Sequence, residues 1–148
     1  MHVKVQVNID KPRADVWRVI TDIENSVHTI SGIEKIEVLE RPEEGLVGFE
    51  WMETRTMFGR EGTETMWVTE VEDERYYKVR AESHGALYLS TMSVRDTGGG
   101  TELTMDFGAV PTTVSAKIMT ATIGRLFVGA TRKALQKDLD DIKAALEG

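Results

Sequence analysis

Cysteine is absent from this 148-residue chain, and histidine is rare. Without cysteine the protein forms no disulfide, no thiolate metal site and no cysteine nucleophile. The three histidines, His2, His28 and His84, fall in a predicted strand start, helical turn and hairpin, whereas a metal site needs three or four converging ligands. The sequence also contains no G-x-S-x-G stretch and no H-E-x-x-H pair. We therefore expect no metal, no cofactor and no hydrolase chemistry of these two kinds.

A basic excess and a long apolar run are missing too. The formal net charge is -7 at pH 7, which argues against nucleic-acid binding because phosphate contacts need clustered Lys and Arg. No apolar run approaches the roughly 20 residues that span a bilayer, so we expect no integral membrane contact. The opening MHVKVQVNID alternates like a strand and lacks the apolar core of a secretory signal. These features indicate a cytoplasmic protein.

Alternation of apolar and polar residues predicts seven strands. The first covers residues 3–9, and six more lie between about residues 33 and 110, separated by turn sequences such as RPEEG and DTGGG. In the third strand Val47, Phe49 and Trp51 alternate on one face. Short links between the later strands predict an antiparallel meander, because parallel neighbours need long crossovers. The length suits one domain, residues 1–148.

Two short helices are predicted after the first strand. Asp10 followed by Pro12 is typical of a helix start, with the Asp10 carboxylate as the cap and the helix running to about Asp22. One or two helical turns follow near residues 24–28. The predicted order is therefore strand, two short helices, six strands and one long helix.

The long helix is predicted over residues 111–147. Its last third carries one apolar stripe at intervals of four, three and four, formed by Leu135, Leu139, Ile142 and Leu146. Gly124 and Gly129 interrupt the earlier part, and each costs about 1 kcal/mol relative to alanine. We expect close approach of the helix to the sheet at these glycines; room for a ligand or a bend that gates a cavity is the alternative. The end of this helix is interpreted as an anchor and its beginning as a cavity wall and lid.

Three stretches resemble the START-like, Bet v 1-like superfamily, also called SRPBCC. IDKPRADVWRVITDIEN is similar to the family's first strand end and first helix, and GIEKIEVLERPEEGLVG to its second strand and the turn into the third. DTGGGTELTMDF is similar to the glycine-containing hairpin before the last strand. The resemblance covers residues 3–146 and is nearest to the polyketide cyclase/dehydrase and ubiquinone-binding branches.

The resemblance implies an α+β helix-grip fold, in which a curved antiparallel sheet wraps around the long C-terminal helix and leaves an internal apolar cavity. Relatives bind lipids, quinones, hormones or polyketides in that cavity, and a minority catalyse reactions. The chain is accordingly expected to be one START-like ligand-binding domain.

Candidate site residues follow from the faces of the predicted elements. Glu53 and Arg55 continue the face of Phe49 and Trp51, where Glu53 is a candidate acid or base and Arg55 a candidate contact for an anionic head group. The interpretation favoured for this pair is an exposed or mutually salt-bridged pair at the cavity rim. The predicted ligand-binding set is Phe49, Trp51, Trp67, Tyr88, Met105, Phe107, Ile118, Met119, Thr122 and Leu126.

Three functions remain open from the sequence. The first is a non-enzymatic carrier or sensor of a small hydrophobic molecule, with affinity from apolar burial. The second is a polyketide cyclase/dehydrase-type enzyme that uses the same cavity, and the third is a protein-interaction module with a vestigial cavity. The basic residues of the long helix also allow weak docking to an anionic lipid or a protein. The chain is expected to be a monomer or homodimer.

Overall fold

The computed structural model describes the backbone of residues 1–57, 59–83 and 85–148, and their side chains except those of 57 and 119–126. A 3₁₀ helix, Ile23–His28, separates the first helix from the second strand. The other elements, in chain order, are β1 His2–Ile9, α1 Arg13–Thr21, β2 Ile33–Glu40, β3 Glu50–Met57, β4 Arg60–Glu72, β5 Tyr76–Ser83, β6 Ala86–Thr97, β7 Gly100–Pro111 and α2 Val114–Glu147. The predicted order of elements is confirmed.

The seven strands form one antiparallel sheet in the order β1-β7-β6-β5-β4-β3-β2. Consecutive strands from β2 to β7 are neighbours, as the short turns predict, and β1 pairs with β7 at the far edge. The sheet curves around α2, so the predicted α+β helix-grip fold is confirmed.

One face of the sheet is concave and carries the core. Directly paired residues in an antiparallel sheet point to the same side. Val3 pairs with Phe107, Val5 with Met105 and Val7 with Leu103, and the three β7 residues share the concave face. Toward the opposite edge of the sheet, Trp51 is 3% exposed and belongs to the same core.

The C-terminal half of α2 fills one end of this concave face. Leu135, Leu139 and Ile142 are buried against β1 and its neighbours, and Leu146 packs on the edge of the same cluster. The predicted apolar stripe is therefore confirmed as an anchor. At the other end of the helix Val114 is 73% exposed, so the two halves of α2 have different environments.

Several local predictions need correction. Helix α1 starts after Pro12, and its cap position receives no side-chain hydrogen bond, so Asp10 does not cap it. Val47 lies before β3 and is 52% exposed, because the strand begins only at Glu50. Gly129 is exposed, and a Cβ placed on it would meet no atom within 4 Å, so close packing does not explain this glycine. Gly124 lies outside the described side chains.

Within the described part of the chain, no helix combines the length and the apolar character needed to cross a bilayer.

Candidate functional site

A buried ionic cluster joins β3 to α2. Arg55 donates from Nε to Glu53 Oε2 at 2.6 Å and from Nη1 to Asp138 Oδ1 at 3.1 Å, while its Nη2 lies 2.8 Å from Asp138 Oδ2. Glu53 is 7% exposed and Asp138 is 5% exposed. The indole N–H of Trp51 also donates a hydrogen bond to the cluster, at Glu53 Oε1 and 3.3 Å. One guanidinium therefore bridges two carboxylates in the interior.

The electrostatics of this cluster follow from burial and from its charge balance. Burial raises the pKa of Asp138, the negative charges of Glu53 and Asp141 add to this shift, and Arg55 opposes it. Burial alone would lower the pKa of Arg55, but Glu53 and Asp138 outweigh it and raise that pKa. Arg55 thus stays charged while two carboxylates compete for it.

A buried tyrosine completes the surroundings of the cluster. The Tyr77 hydroxyl donates to the Ile20 carbonyl at 2.9 Å, which ties β5 to α1. Burial raises the pKa of Tyr77, and the charge of Glu53 raises it further. Tyr77 is therefore a neutral hydrogen-bond donor that holds the fold together.

The prediction for Glu53 and Arg55 was right in one part and wrong in another. The mutual salt bridge is present, but it lies in the interior and not at an exposed rim. Asp138, the second carboxylate, was not among the residues predicted from the sequence. Its position contained the signal, since Asp138 follows Leu135 by three and precedes Ile142 by four, which puts it beside the buried stripe.

A second group of candidate residues lines the open part of the concave face. Tyr88 and Phe107 stack with ring centroids 5.9 Å apart, and both remain partly exposed. Tyr88 pairs with Ala109 and Ala81 on the neighbouring strands, and Phe107 pairs with Val3. Partly exposed aromatic side chains on the inner face of a sheet mark a surface that the core does not fill.

The other predicted ligand-binding residues fall into four groups. Phe49, Trp51 and Met105 belong to the concave core or pack against it. Trp67 pairs with Glu50 and Arg80, and the Arg80 guanidinium lies 5.9 Å from its ring centroid. This places Trp67 on the outer face, so its prediction as a lining residue is corrected. Ile118 is 63% exposed on α2, and the side chains of Met119, Thr122 and Leu126 lie outside the described residues.

A groove of about 690 Å³ crosses the outer face of the sheet. Its floor consists of small hydroxyl residues, among them Thr91, Ser93 and Thr104. Its walls are charged, and they include Arg75, Arg95 and Glu102. The groove differs from the predicted apolar cavity both in polarity and in the face on which it lies.

Among the described side chains, no three or more His, Asp or Glu residues form a group that could hold a metal ion.

The family model for polyketide cyclase / dehydrase and lipid transport matches residues 1–147. The chain is also similar in fold to a protein of Thermus thermophilus, TTHA0849, with a TM-score of 0.83, 17% identity and coverage of 99% of this chain and 97% of that one. A START superfamily protein from Mycobacterium smegmatis gives a TM-score of 0.76, 15% identity and coverage of 99% and 97%. A search of curated protein sequences found no match.

Another similar structure is the Zhui aromatase/cyclase from Streptomyces sp. R1128, with a TM-score of 0.74, 18% identity and coverage of 99% of this chain and 93% of that one. The curved sheet wrapped around a C-terminal helix is a START-like, Bet v 1-like fold. Because the family model spans nearly the whole sequence, the chain belongs to the polyketide cyclase / dehydrase and lipid transport family.

Proposed function

We propose that the chain is a single ligand-binding domain that carries or senses a small hydrophobic molecule, such as a lipid, a quinone or a polyketide. The ligand lies between the concave face of the sheet and the N-terminal half of α2. The observation that carries this proposal is the Tyr88–Phe107 stack, which faces inward and is only partly covered. Ligand cavities are mostly apolar and aromatic with a few polar groups, and this surface has that character.

The two ends of the concave face support the same location. At one end, α2 packs tightly, with Leu139 0% exposed and Val3 0% exposed. Toward the other end, Met66, Val79 and Met105 only pack around the core cluster and stay partly exposed. An apolar ligand that covered such surface would gain about 25 cal/mol per Å² of area removed from water.

The ionic cluster supports a carrier more than an enzyme. Both oxygens of Glu53 accept hydrogen bonds within the cluster, from Trp51 and Arg55, and three guanidinium nitrogens of Arg55 bond to carboxylates. Groups that are fully engaged with each other are poor candidates for binding a head group or exchanging a proton with a ligand. The cluster instead fixes α2 against β3, which holds one wall of the binding site in place.

Filling the proposed cavity tests the function. Ser90 lies on the concave face, paired with Val79 and Phe107, so Ser90→Leu adds bulk inside the site. Thr91→Leu makes a comparable change one residue away, on the outer face, and serves as the matched control. Protein purified under native conditions is examined by mass spectrometry for bound small molecules, and binding of 1-anilinonaphthalene-8-sulfonate is titrated by fluorescence.

The wild type and Thr91→Leu are expected to bind the dye with similar affinity, and Ser90→Leu to bind at least about tenfold more weakly, which corresponds to about 1.4 kcal/mol. Equal affinity in Ser90→Leu and the wild type would remove the concave face from the binding site. Loss of binding only in Thr91→Leu would move the site to the outer groove.

The second candidate function is a polyketide cyclase/dehydrase-type enzyme. The description of the matching family names this activity beside lipid transport, and burial raises the pKa of Asp138, a carboxylate on the inner side of the fold. Turnover assays with aromatic polyketide substrates separate it from a carrier. Glu53→Gln is the diagnostic variant, since it keeps the shape of the cluster and removes an ionisable group; unchanged turnover in this variant would exclude Glu53 as the acid or base.

A further inference from the structure

Glu64 is a carboxylate on the concave face, and one of its oxygens is buried without a partner in the described part of the chain. It pairs directly with Glu53 across β3 and β4, and two residues further along Met66 pairs with Trp51. Since Glu53 and Trp51 point into the core, Glu64 points to the same side. Its Oε2 atom is buried, yet it accepts no hydrogen bond from any group in the described part of the chain.

The surroundings of Glu64 are those of the proposed binding site. Met66 pairs with Ala81, which pairs with Tyr88, so the row of side chains next to Glu64 leads to the Tyr88–Phe107 stack. Burial raises the pKa of Tyr88, and the negative charge of Glu64 raises it further. Glu64 thus lies between the ionic cluster, through its partner Glu53, and the apolar and aromatic part of the concave face.

An unpaired buried acceptor costs stability, because the group has lost its water without gaining a partner. Such groups are rare in native proteins and call for an explanation. Arg55 donates to Glu53 and Asp138 on the same side of the sheet, but no described donor reaches Glu64 Oε2. A donor from outside the chain would satisfy Oε2.

We propose that Glu64 is the specificity residue of the cavity and that it accepts a hydrogen bond from a hydroxyl group on the hydrophobic ligand. This inference rests on the proposed function and narrows its ligand class to apolar molecules that carry an alcohol or phenol. The aromatic stack binds the apolar body of the ligand, and Glu64 accepts a hydrogen bond from the hydroxyl group at the end of the ligand. Hydrogen-bonding sites discriminate strongly against analogues without the donor, since the protein acceptor is then left unpaired.

A pair of probes tests the inference on the intact chain. 2-Naphthol carries a hydroxyl donor, and 2-methoxynaphthalene has the same rings with the donor removed. Both are titrated by fluorescence against the wild type, Glu64→Leu, Glu64→Gln and Glu61→Gln. Glu61 is exposed on the opposite face of β4, so Glu61→Gln controls for the change in net charge.

The wild type and Glu61→Gln are expected to prefer 2-naphthol about tenfold, and Glu64→Leu to bind both probes equally. Glu64→Gln retains a carbonyl acceptor and should show an intermediate preference. Thermal unfolding supplies a readout independent of binding: Glu64→Leu should melt at a higher temperature than the wild type, because an unsatisfied buried acceptor has been removed.

Two results would overturn the inference, and they are distinguishable. Equal binding of the two probes by the wild type, or a preference that survives in Glu64→Leu, would leave the cavity in place and eliminate the role of Glu64. Failure of both probes to bind any of the four proteins would eliminate the cavity itself, and the role of Glu64 with it.

Discussion

Arg55 and Asp138 form a two-point ion pair across 83 positions of the sequence, with N–O distances of 2.8 and 3.1 Å. The pair joins the third strand to the long helix and is buried on the carboxylate side. The backbone of Gly32 covers it closely, since a Cβ at this position would lie 3.3 Å from Arg55 Nη1. The interaction that closes the helix onto the sheet is therefore ionic as well as apolar.

Replacing Arg55 alone should lower the free energy of unfolding far more than replacing all three charged residues of the cluster. In Arg55→Met, Glu53 and Asp138 lose their shared partner in the interior, and breaking a buried pair costs about 3–5 kcal/mol. The free energy of unfolding is measured by urea denaturation. The triple variant Glu53→Gln, Arg55→Met, Asp138→Leu should recover most of the loss, because buried ion pairs replaced by neutral groups of similar volume are often tolerated.

An exposed ion pair provides the matched control. Arg75 contacts Glu72 at 2.7 Å, but its side chain is 67% exposed. Arg75→Met should cost less than about 1 kcal/mol, as is usual for surface pairs. If Arg55→Met lowers the free energy of unfolding no more than Arg75→Met does, the buried cluster does not stabilise the packing of α2 on β3.

Asp138 should give the stability a recognisable pH dependence. Burial raises the pKa of Asp138 above its ordinary value of 3.8, so the folded state holds this proton more tightly than the unfolded chain. The stability contributed by protonated Asp138 is full below pH 3.8 and is lost as the pH rises through the folded pKa. Asp138→Asn cannot ionise, so the stability of the wild type relative to this variant should fall with rising pH in that window.

Urea denaturation of both proteins between about pH 3.5 and pH 8 measures this difference in the free energy of unfolding. Each unit by which the folded pKa exceeds the unfolded pKa corresponds to about 1.4 kcal/mol. Asp140→Asn, at an exposed neighbouring position on the same helix, controls for the change in net charge. A wild type that gains stability relative to Asp138→Asn as the pH rises would show that Arg55 outweighs burial.

The fold could be predicted from the sequence because its signals are local. Period-2 alternation fixes which residues of β7 face inward, and Leu103 is indeed 0% exposed. The intervals between Leu135, Leu139 and Ile142 likewise identify the buried side of the helix. Each of these patterns lies within a single strand or helix and needs no knowledge of its neighbours.

The site could be predicted only in part, because its contacts are long-range. Alternation predicted that Glu53 and Arg55 share the face of Trp51, but no local pattern shows that Asp138 meets them. The placement of Trp67 failed because β4 has apolar residues on both faces, Met66 and Val68 inward and Trp67 outward. Only the pairing with β3 and β5 distinguishes the two faces.

Substitution by alanine should change the stability in opposite directions at Gly129 and Gly100. Gly129 is exposed in α2 with open space around its Cβ direction, so Gly129→Ala should stabilise the protein by up to about 1 kcal/mol. Gly100 begins β7, and a Cβ there would lie 2.3 Å from the Ile9 carbonyl oxygen. Gly100→Ala should therefore lower the thermal midpoint, and differential scanning calorimetry compares the two variants.

Titration with 1-anilinonaphthalene-8-sulfonate adds a measurement of ligand binding for Gly129→Ala. Stabilisation together with unchanged dye binding would mean that this glycine serves neither packing nor ligand entry. Stabilisation with weaker or slower binding would support a bend at Gly129 that opens the cavity.

The free edge of β1 is covered by side chains of α2. Arg132 Nη1 donates to the Lys4 carbonyl at 2.9 Å, Gln136 Nε2 donates to the Gln6 carbonyl at 3.1 Å, and Lys143 Nζ donates to the Asn8 carbonyl. Three side chains of α2 thus reach three alternate carbonyls of β1. Unpaired edge carbonyls are a template for pairing with another chain, so these contacts protect the edge.

Arg132→Met with Lys143→Met should therefore expose β1 and promote association. The double variant is expected to lose about 1–2 kcal/mol from two hydrogen bonds and to aggregate at a lower temperature than the wild type. Lys117→Met with Lys133→Met removes the same charge from exposed positions of the same helix and serves as the control. Light scattering during heating measures the onset, and an onset equal in the two double variants would show that lost charge, and not the uncovered edge, causes aggregation.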